Sequence, residues 1–285
     1  MSEALEIKGL RKNYKDFSLK DISFTVPKGC IMGFVGENGA GKTTTIKAIL
    51  NLINKDSGEI KVLGLDNIKD EKIIKENIGV VFDECCFHDN LKIRDISKIM
   101  SKIYKNWDNS LFEKYSQQFK VPNDKIIKEF SRGMKMKLSI AVALSHKPKL
   151  LILDEATSGL DPIVREEILD VFLDFIQDEE HSILLSTHIT GDLDKIADYI
   201  TFINDGEIIF SKSKDELNYT MGIVKCGKND FEKINKKLVV AYRKGVFGYE
   251  VLINNKEKVE REYTELIIDK AIIEDVMLFY IRGEK

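Results

Sequence analysis

The sequence predicts an α/β fold with a mostly parallel sheet, an antiparallel β-region before it and a small α+β extension after it. Three observations lead to this prediction. Short apolar runs typical of buried strands alternate with runs of helical period, which indicates parallel strands joined by crossovers. A glycine-rich turn follows the apolar run Ile31–Val35 and precedes an amphipathic stretch. The 285 residues exceed what one compact core usually needs, so an appended unit is expected.

The first elements are predicted to be β-strands. Two β-rich runs, residues 5–10 and 18–26, precede Pro27 and the buried run Ile31–Val35. After the glycine-rich turn, apolar side chains recur every three or four residues, which predicts a helix that packs one face on the sheet. These side chains are Ile46, Ile49, Leu50 and Ile53.

The middle of the chain is predicted to be helical and then to return to strands. Apolar residues repeat with helical period between residues 91 and 144. Buried strands are then expected in three short runs: residues 150–153, 183–186 and 199–203. The turn Asn204-Asp205-Gly206 connects the last run to residues 207–210 and predicts a hairpin.

A domain boundary is predicted in the polar stretch Ser211–Asn218. We therefore expect a main domain at residues 1–217 and a small accessory domain at residues 218–285. Beyond the boundary, residues 239–254 and 263–269 have the composition of strands. A closing helix is indicated by the spacing of Ile272, Ile273, Val276 and Tyr280.

Composition and charge argue against several classes of function. The chain is 43% hydrophobic and 32% charged, which is typical of a folded protein. A formal net charge of -3 predicts no bulk attraction to nucleic acid. The segment MSEALEIKGL is not expected to be a signal peptide, and no apolar run approaches the roughly 18 residues of a membrane helix. The scattered cysteines and histidines favour reduced thiols over a zinc site.

Residues 36–44, GENGAGKTT, fit the phosphate-loop pattern GxxxxGK[ST] completely. Glycines let backbone N–H groups approach phosphate oxygens, and the helix that follows directs its positive end at the same anion. Lys42 adds a full charge, and the Thr43 hydroxyl is placed to bind Mg²⁺. This pattern predicts a P-loop NTPase core. The expected nucleotide contacts in it are Asn38, Gly39, Ala40, Gly41, Lys42, Thr43 and Thr44.

A second candidate site element is the carboxylate pair at the end of the predicted strand LLIL. Asp154 follows this strand directly and is suited to hold Mg²⁺ through water. Glu155 is suited to orient or deprotonate an attacking water. Most adjacent Asp-Glu pairs are solvated surface, but four preceding aliphatic residues favour the functional interpretation.

Six elements in order make the sequence similar to the nucleotide-binding subunits of ABC transporters, of the bacterial exporter or ABC-2-like type. They are Tyr14, the phosphate loop, Asp83 within IGVVFDE, the segment FSRGM at residues 130–134, Asp154-Glu155 with SGLD at residues 158–161, and His188 after Ser186-Thr187. The resemblance covers roughly residues 5–210. It implies an N-terminal antiparallel β subdomain on the P-loop core and an ABC-specific helical subdomain at about residues 88–145.

The resemblance also implies a role for each matching residue. Tyr14 would stack on adenine, and His188 would contact the γ-phosphate. Ser131 and Gly133 would meet the γ-phosphate of a nucleotide bound to a second subunit. Asp83 stands where the family usually has the metal-binding Q-loop glutamine. The expected catalytic residues are therefore Glu155 and His188, and the expected metal ligands are Thr43, Asp154 and Asp83.

The same resemblance implies cofactors and partners. ATP and Mg²⁺ are the expected cofactors, and ATP hydrolysis the expected reaction. The chain would pair with a second ATP-binding subunit, as a homodimer or a heterodimer, and drive a separate transmembrane permease. Its expected location is cytoplasmic, on the inner face of the membrane through that permease, with no direct contact to nucleic acid.

The signature segment departs from the family pattern LSGGQ at three positions. Phe130 replaces leucine, Arg132 replaces the first glycine and Met134 replaces glutamine. Because the serine and the second glycine are retained, we expect a working site.

Two alternatives remain open at this point. A soluble ABC ATPase that acts on ribosomes or DNA usually carries two such domains or a long coiled-coil insertion, and this sequence shows neither. A weakly catalytic ATP-binding partner in a heterodimer is suggested by Asp83 and the altered signature, whereas Glu155 and His188 favour an active enzyme. ATPase activity with and without Mg²⁺ separates the second alternative from the enzyme, and co-purification with membranes separates the transporter from the first.

Overall fold

The structure, a computed structural model, describes residues 3–246 and 248–284. Phe247, within the run predicted to contain strands, lies outside the described residues, as do Met1, Ser2 and Lys285 at the ends of the predicted domains. Among the described residues, no helix combines the length and the apolar character that crossing a bilayer requires.

The strands are β1 (Glu3–Asn13), β2 (Ser18–Pro27), β3 (Ile31–Val35), β4 (Ser57–Val62), β5 (Leu65–Asp66), β6 (Ile78–Val81), β7 (Leu150–Asp154), β8 (Ser182–Thr187), β9 (Tyr199–Asn204), β10 (Glu207–Ser213), β11 (Gly222–Cys226), β12 (Val239–Lys244), β13 (Tyr249–Ile253) and β14 (Ile268–Lys270). The α-helices are α1 (Lys42–Ile49), α2 (Glu71–Asn77), α3 (Ile93–Ile103), α4 (Asn109–Gln118), α5 (Arg132–Leu144), α6 (Pro162–Phe175), α7 (Thr190–Ile196), α8 (Lys214–Thr220), α9 (Lys228–Lys233), α10 (Lys256–Glu262) and α11 (Ile273–Arg282).

The N-terminal sheet is antiparallel, with the strand order β2-β1-β4-β5. Along β2, Ile22, Phe24 and Val26 are buried and the residues between them are exposed, as expected for a sheet with one face on the core. The antiparallel β subdomain is therefore present. The sequence did not predict β4 and β5, because β4 buries only Ile60 and Val62 and otherwise reads as polar loop.

The central sheet has the order β10-β9-β3-β8-β7-β6, and every neighbouring pair except β9–β10 is parallel. All residues of β3, β7 and β8 are buried. Helices cover both faces of such a sheet, so its central strands carry continuous apolar runs rather than alternation. The predicted parallel sheet and the β9–β10 hairpin are confirmed. Strand β6 at the sheet edge was not predicted, although IGVV is an apolar run.

The predicted helical segment consists of α3, α4 and α5 with a short 3-10 turn at Ile127–Glu129. The three helices enclose buried side chains that continue into the core beneath the central sheet, among them Ile96, Phe112, Phe119 and Leu138. Trp107 packs on Phe112 with the ring centroids 5.2 Å apart. This segment is thus anchored to the sheet by its own apolar faces.

The last part of the chain forms an antiparallel sheet of order β12-β13-β11-β14. This sheet has a small core of its own, which includes Val224, Val251 and Val259. Helix α11, however, packs on α7, and the Tyr280 ring lies 5.7 Å from Phe210 and 6.2 Å from Phe202, centroid to centroid. Helix α8 spans the predicted boundary after residue 217. The division into two domains stays a prediction.

Candidate functional site

The phosphate loop turns sharply between β3 and α1. A Cβ on Gly36 would lie 2.3 Å from the carbonyl oxygen of Ile203, so no larger residue fits there without a shift of backbone. Gly39 and Gly41 have φ angles of +86° and +115°, a region that glycine enters at little cost. Residues 37–39 are exposed, and Ala40 is buried beneath them. The loop therefore presents its backbone at the surface without side chains crowding its turn.

Lys42 is the first residue of α1, and its side chain is buried. Its Nζ donates hydrogen bonds to the carbonyl oxygens of Gly36 at 2.8 Å and Glu37 at 3.2 Å. The same Nζ lies 3.3 Å from Oε1 of Glu155. The ammonium group is thus held across the loop with a carboxylate on its other side. Thr44 is half-buried in the first turn of the same helix.

Asp154 ends strand β7 and is 4% exposed. Its Oδ1 accepts a hydrogen bond of 2.9 Å from the Ser186 hydroxyl at the end of β8. Burial raises the pKa of the Asp154 carboxyl, while the hydroxyls of Thr43 and Ser186 oppose that rise. Thr43 and Asp154 therefore place a hydroxyl and a carboxylate side by side, although the residues are far apart in sequence, and their metal role stays a prediction. Ser186 was not predicted as a site residue. Its position just before Thr187 and His188 is the sequence feature that could have predicted it.

Glu155 directly follows β7 and adopts a left-handed backbone conformation with φ of +55°. Its N–H donates to the carbonyl oxygen of Ser186 at 2.9 Å, and its Oε2 accepts a hydrogen bond of 2.7 Å from Nδ1 of His188. Among the described residues, no group donates a hydrogen bond to its buried Oε1, the oxygen beside Lys42. The structure thus brings Lys42, at the start of α1 after β3, together with Glu155 and His188, which follow the adjacent strands β7 and β8.

Tyr14 follows β1 and is half exposed, with Nζ of Lys12 5.5 Å from its ring centroid. Its exposed ring face is compatible with the predicted stacking on adenine. That role stays a prediction.

The signature segment leads into helix α5. The Ser131 hydroxyl accepts a hydrogen bond of 3.2 Å from the N–H of Met134 and caps the helix. Gly133 lies in the first turn, 3.4 Å from Val164 if a Cβ is added. In residues 3–246 and 248–284, neither residue hydrogen-bonds to the phosphate loop of the same chain. Helix capping and a helix N-terminus open to an anion are both compatible with this arrangement.

Asp83 lies two residues beyond β6 and forms an ion pair with the guanidinium of Arg132. Its carboxylate is therefore paired with a residue of the signature segment. The metal role of Asp83 stays a prediction.

Asp161, in the SGLD segment, accepts a hydrogen bond of 3.0 Å from the N–H of Val164 and caps α6 ahead of Pro162.

Comparison with known proteins identifies the family. A family model described as ABC transporter matches residues 19–158. The chain is 36% identical over 214 residues to the bacitracin transport ATP-binding protein BcrA of Bacillus licheniformis, a match that covers 73% of this chain and 69% of that protein. The chain belongs to the ABC transporter family. The ABC transporter resemblance predicted from the motifs is confirmed.

Two further matches agree. The lantibiotic transport ATP-binding protein SrtF of Streptococcus pyogenes is 35% identical over 213 residues, which cover 74% of this chain and 91% of that one. The solved structure of an ATP-binding subunit of an ABC transporter is 25% identical, with a TM-score of 0.68 over 75% of this chain and 92% of that one. The chain is thus an ATP-binding, ATP-hydrolysing subunit of an ABC transporter with a P-loop NTPase fold, as predicted.

Proposed function

We propose that this ABC transporter subunit hydrolyses Mg²⁺-ATP between two ATP-binding subunits and thereby drives a separate membrane permease. The observation that carries the proposal is the cluster of Lys42, Glu155 and His188 at the ends of adjacent strands, with Asp154 and Thr43 beside it. A cation, a potential base and two metal-binding oxygens in one place are what phosphoryl transfer to water requires.

The phosphate loop and α1 hold the triphosphate in this proposal. Lys42 exchanges its hydrogen bonds to the loop carbonyls for phosphate oxygens, and the helix N-terminus adds partial positive charge. The contacts we assign to ATP are residues 38–44, with Tyr14 on the adenine. The open space beside Gly39 leaves room for phosphate oxygens at the loop surface.

The residues beside the loop fit Mg²⁺. The cation prefers hard oxygen ligands, and the Thr43 hydroxyl and the buried Asp154 carboxylate supply them within one small region. Burial raises the pKa of Asp154, so a bound cation would favour the ionised carboxylate again. When bound, the metal neutralises charge on the phosphates.

Glu155 is the base in this proposal. Its carboxylate takes the proton of the attacking water, and its contact with Nδ1 of His188 orients both side chains. That contact leaves Nε2 of His188 free to donate a hydrogen bond to the γ-phosphate when both ring nitrogens carry a proton. The left-handed backbone of Glu155, anchored on Ser186, fixes where the carboxylate points.

A second subunit is proposed to complete the site. Ser131 and Gly133 lie at the N-terminus of α5, a helix end that attracts anions, and they do not hydrogen-bond to the phosphate loop of their own chain within the described residues. We assign them to the nucleotide of the opposite subunit, which makes the closed form a dimer. Binding would close this dimer, and charge separation after hydrolysis would open it.

The permease is proposed to dock in an apolar groove of about 700 Å³ between α2, β6 and α3. Leu52 and Ile103 line this groove and are 53% and 59% exposed, so a docked permease would bury apolar surface on both side chains. Phe82, also in the lining, directly precedes Asp83, so the groove adjoins the segment in which the family usually has its Q-loop glutamine. Attachment there would place the subunit on the cytoplasmic face of the membrane.

The names of the relatives suggest the kind of transport. Because BcrA and SrtF are named for bacitracin and lantibiotic transport, we propose that this subunit serves a bacterial exporter of the ABC-2-like type. The permease would select the substrate.

Two variants test the proposal. Lys42→Ala should abolish ATP hydrolysis and weaken ATP binding, because the principal side-chain charge on the phosphates is lost. Ile103→Lys should retain ATPase activity of the purified subunit and lose co-purification with membranes. Native turnover by Lys42→Ala would refute the assignment of the loop. Capture of the wild type by ribosomes or DNA instead of membranes would support the soluble alternative.

A further inference from the structure

Two positions at which the sequence departs from the family pattern are in direct contact. Asp83 follows strand β6, and Arg132 is the first residue of helix α5, 49 residues later. Their side chains form a hydrogen-bonded ion pair on the surface, at 48% and 51% exposure. The negative charge of Asp83 and the positive charge of Arg132 therefore neutralise each other.

The same guanidinium lies against a third segment. A Cβ built on Gly159 would be 2.7 Å from Nη1 of Arg132 and 3.0 Å from its Cζ. Gly159 also has a φ of +66°, a backbone conformation that favours glycine. Arg132 thus contacts the loop that follows Asp154 and Glu155 as well as the segment that carries Asp83.

The contact is part of a broader attachment. Lys135, one turn further along α5, forms an ion pair of 3.2 Å with Asp89, and the N–H of Lys128 donates to the carbonyl oxygen of Asp89 at 2.9 Å. Two ion pairs from the start of α5 and one backbone hydrogen bond from the turn before it thus connect this region to residues 83–89. Of these attachments, the Arg132 pair is the one that also reaches Gly159.

We propose that Asp83 and Arg132 act as one positioning pair, which aligns the signature segment with the loop after β7 and keeps the local net charge neutral. The inference rests on the proposed dimer, in which the N-terminus of α5 faces a phosphate. An exposed ion pair contributes little to folding stability. An unpaired charge, however, changes nucleotide affinity when it lies within the screening length of the solution from a phosphate, about 8–10 Å at physiological ionic strength.

This proposal predicts that the two neutralising substitutions affect different kinetic constants. Arg132→Gln leaves the carboxylate of Asp83 unpaired near the phosphates and should raise KM for ATP about two- to fivefold. Asp83→Asn leaves the arginine unpaired, so KM should fall or stay unchanged while kcat falls about two- to fivefold through retained product. The double variant restores neutrality and should lie closer to wild type than either single change. Asp83→Glu keeps the charge and should retain most of the turnover.

The matched control is Lys225→Gln, which breaks a similarly exposed ion pair with Asp269 in the C-terminal sheet. It should change neither kcat nor KM. Additive effects of Asp83→Asn and Arg132→Gln would overturn the proposal. So would a raised Mg²⁺ requirement in Asp83→Asn alone, which would place Asp83 on the metal instead.

Hydrogen exchange provides a readout that does not depend on catalysis. Without added nucleotide, Arg132→Gln should accelerate amide exchange in residues 83–89 and 156–161, and Asp83→Asn mainly in residues 83–89. Unchanged exchange in both segments would contradict the positioning role. If the wild type fails to hydrolyse ATP, the proposed function fails, and this measurement still decides whether the pair holds the segments together.

Discussion

Replacement of Glu155 by glutamine removes a charge and a base while it preserves the shape of the site. The glutamine carbonyl oxygen can still accept the hydrogen bond from His188, which Glu155 accepts at 2.7 Å. The left-handed backbone at this position is equally accessible to both residues. Any effect on turnover therefore reports the lost carboxylate rather than a rearranged loop.

The size of the effect follows from the role of the carboxylate. A positioned general base contributes about 10²- to 10⁴-fold to the rate, so kcat should fall by that factor, equivalent to about 2.7–5.4 kcal/mol of barrier. The affinity for Mg²⁺-ATP, by contrast, should rise. Lys42 loses the charged carboxylate oxygen 3.3 Å from its Nζ. The negative charge of Glu155, which adds to burial in raising the pKa of Asp154, is also removed. Both changes favour bound Mg²⁺-ATP.

Steady-state ATPase assays and sedimentation with Mg²⁺-ATP measure the two effects. Glu155→Gln should be nearly inactive and should persist as a nucleotide-bound dimer. The matched control is Glu166→Gln on α6, which removes an equal charge. Glu166 forms an exposed ion pair with Lys195 of α7. It should keep turnover within about twofold of wild type. If Glu155→Gln turns over ATP within about threefold of wild type, Glu155 is not the base.

Two further predictions concern the C-terminal region and pH. A chain that ends after residue 217 should still bind ATP when folded. Its free energy of unfolding should fall by roughly 3–6 kcal/mol because α11 no longer covers Phe202 and Phe210. Denaturant titration measures this change, and an unfolding free energy equal to that of the full chain would contradict the prediction. The Mg²⁺ concentration for half-maximal ATPase should rise as the pH falls from about 8 to about 5. The pKa of Asp154 is raised by burial, so its metal-binding ionised form is lost at a higher pH than that of an exposed aspartate, and a flat Mg²⁺ dependence over this range would argue against Asp154 as a ligand.

Local patterns were enough to predict the elements nearest the site. The run Ile31–Val35 and the strand before Asp154 are apolar throughout because their sheet is covered on both faces, so each is recognisable from a few residues. Gly39 and Gly41 are favoured by the backbone geometry of the loop itself, whereas Gly36 is required by the close approach of Ile203. Strands such as β4 and β5 bury too few side chains to stand out, and they were missed for that reason.

The sequence by itself determined the phosphate loop, the carboxylate pair, the helical segment and the family, because each depends on neighbouring residues. Only the tertiary structure decided which distant residues meet. Strand order brings Glu155 to Lys42 and His188, the approach of α5 to the end of β6 gives Asp83 its partner Arg132, and the packing of α11 on α7 joins the last helix to the main core. These contacts join residues that are far apart in the chain, and such pairings are determined by how the elements pack rather than by the local pattern of any one segment.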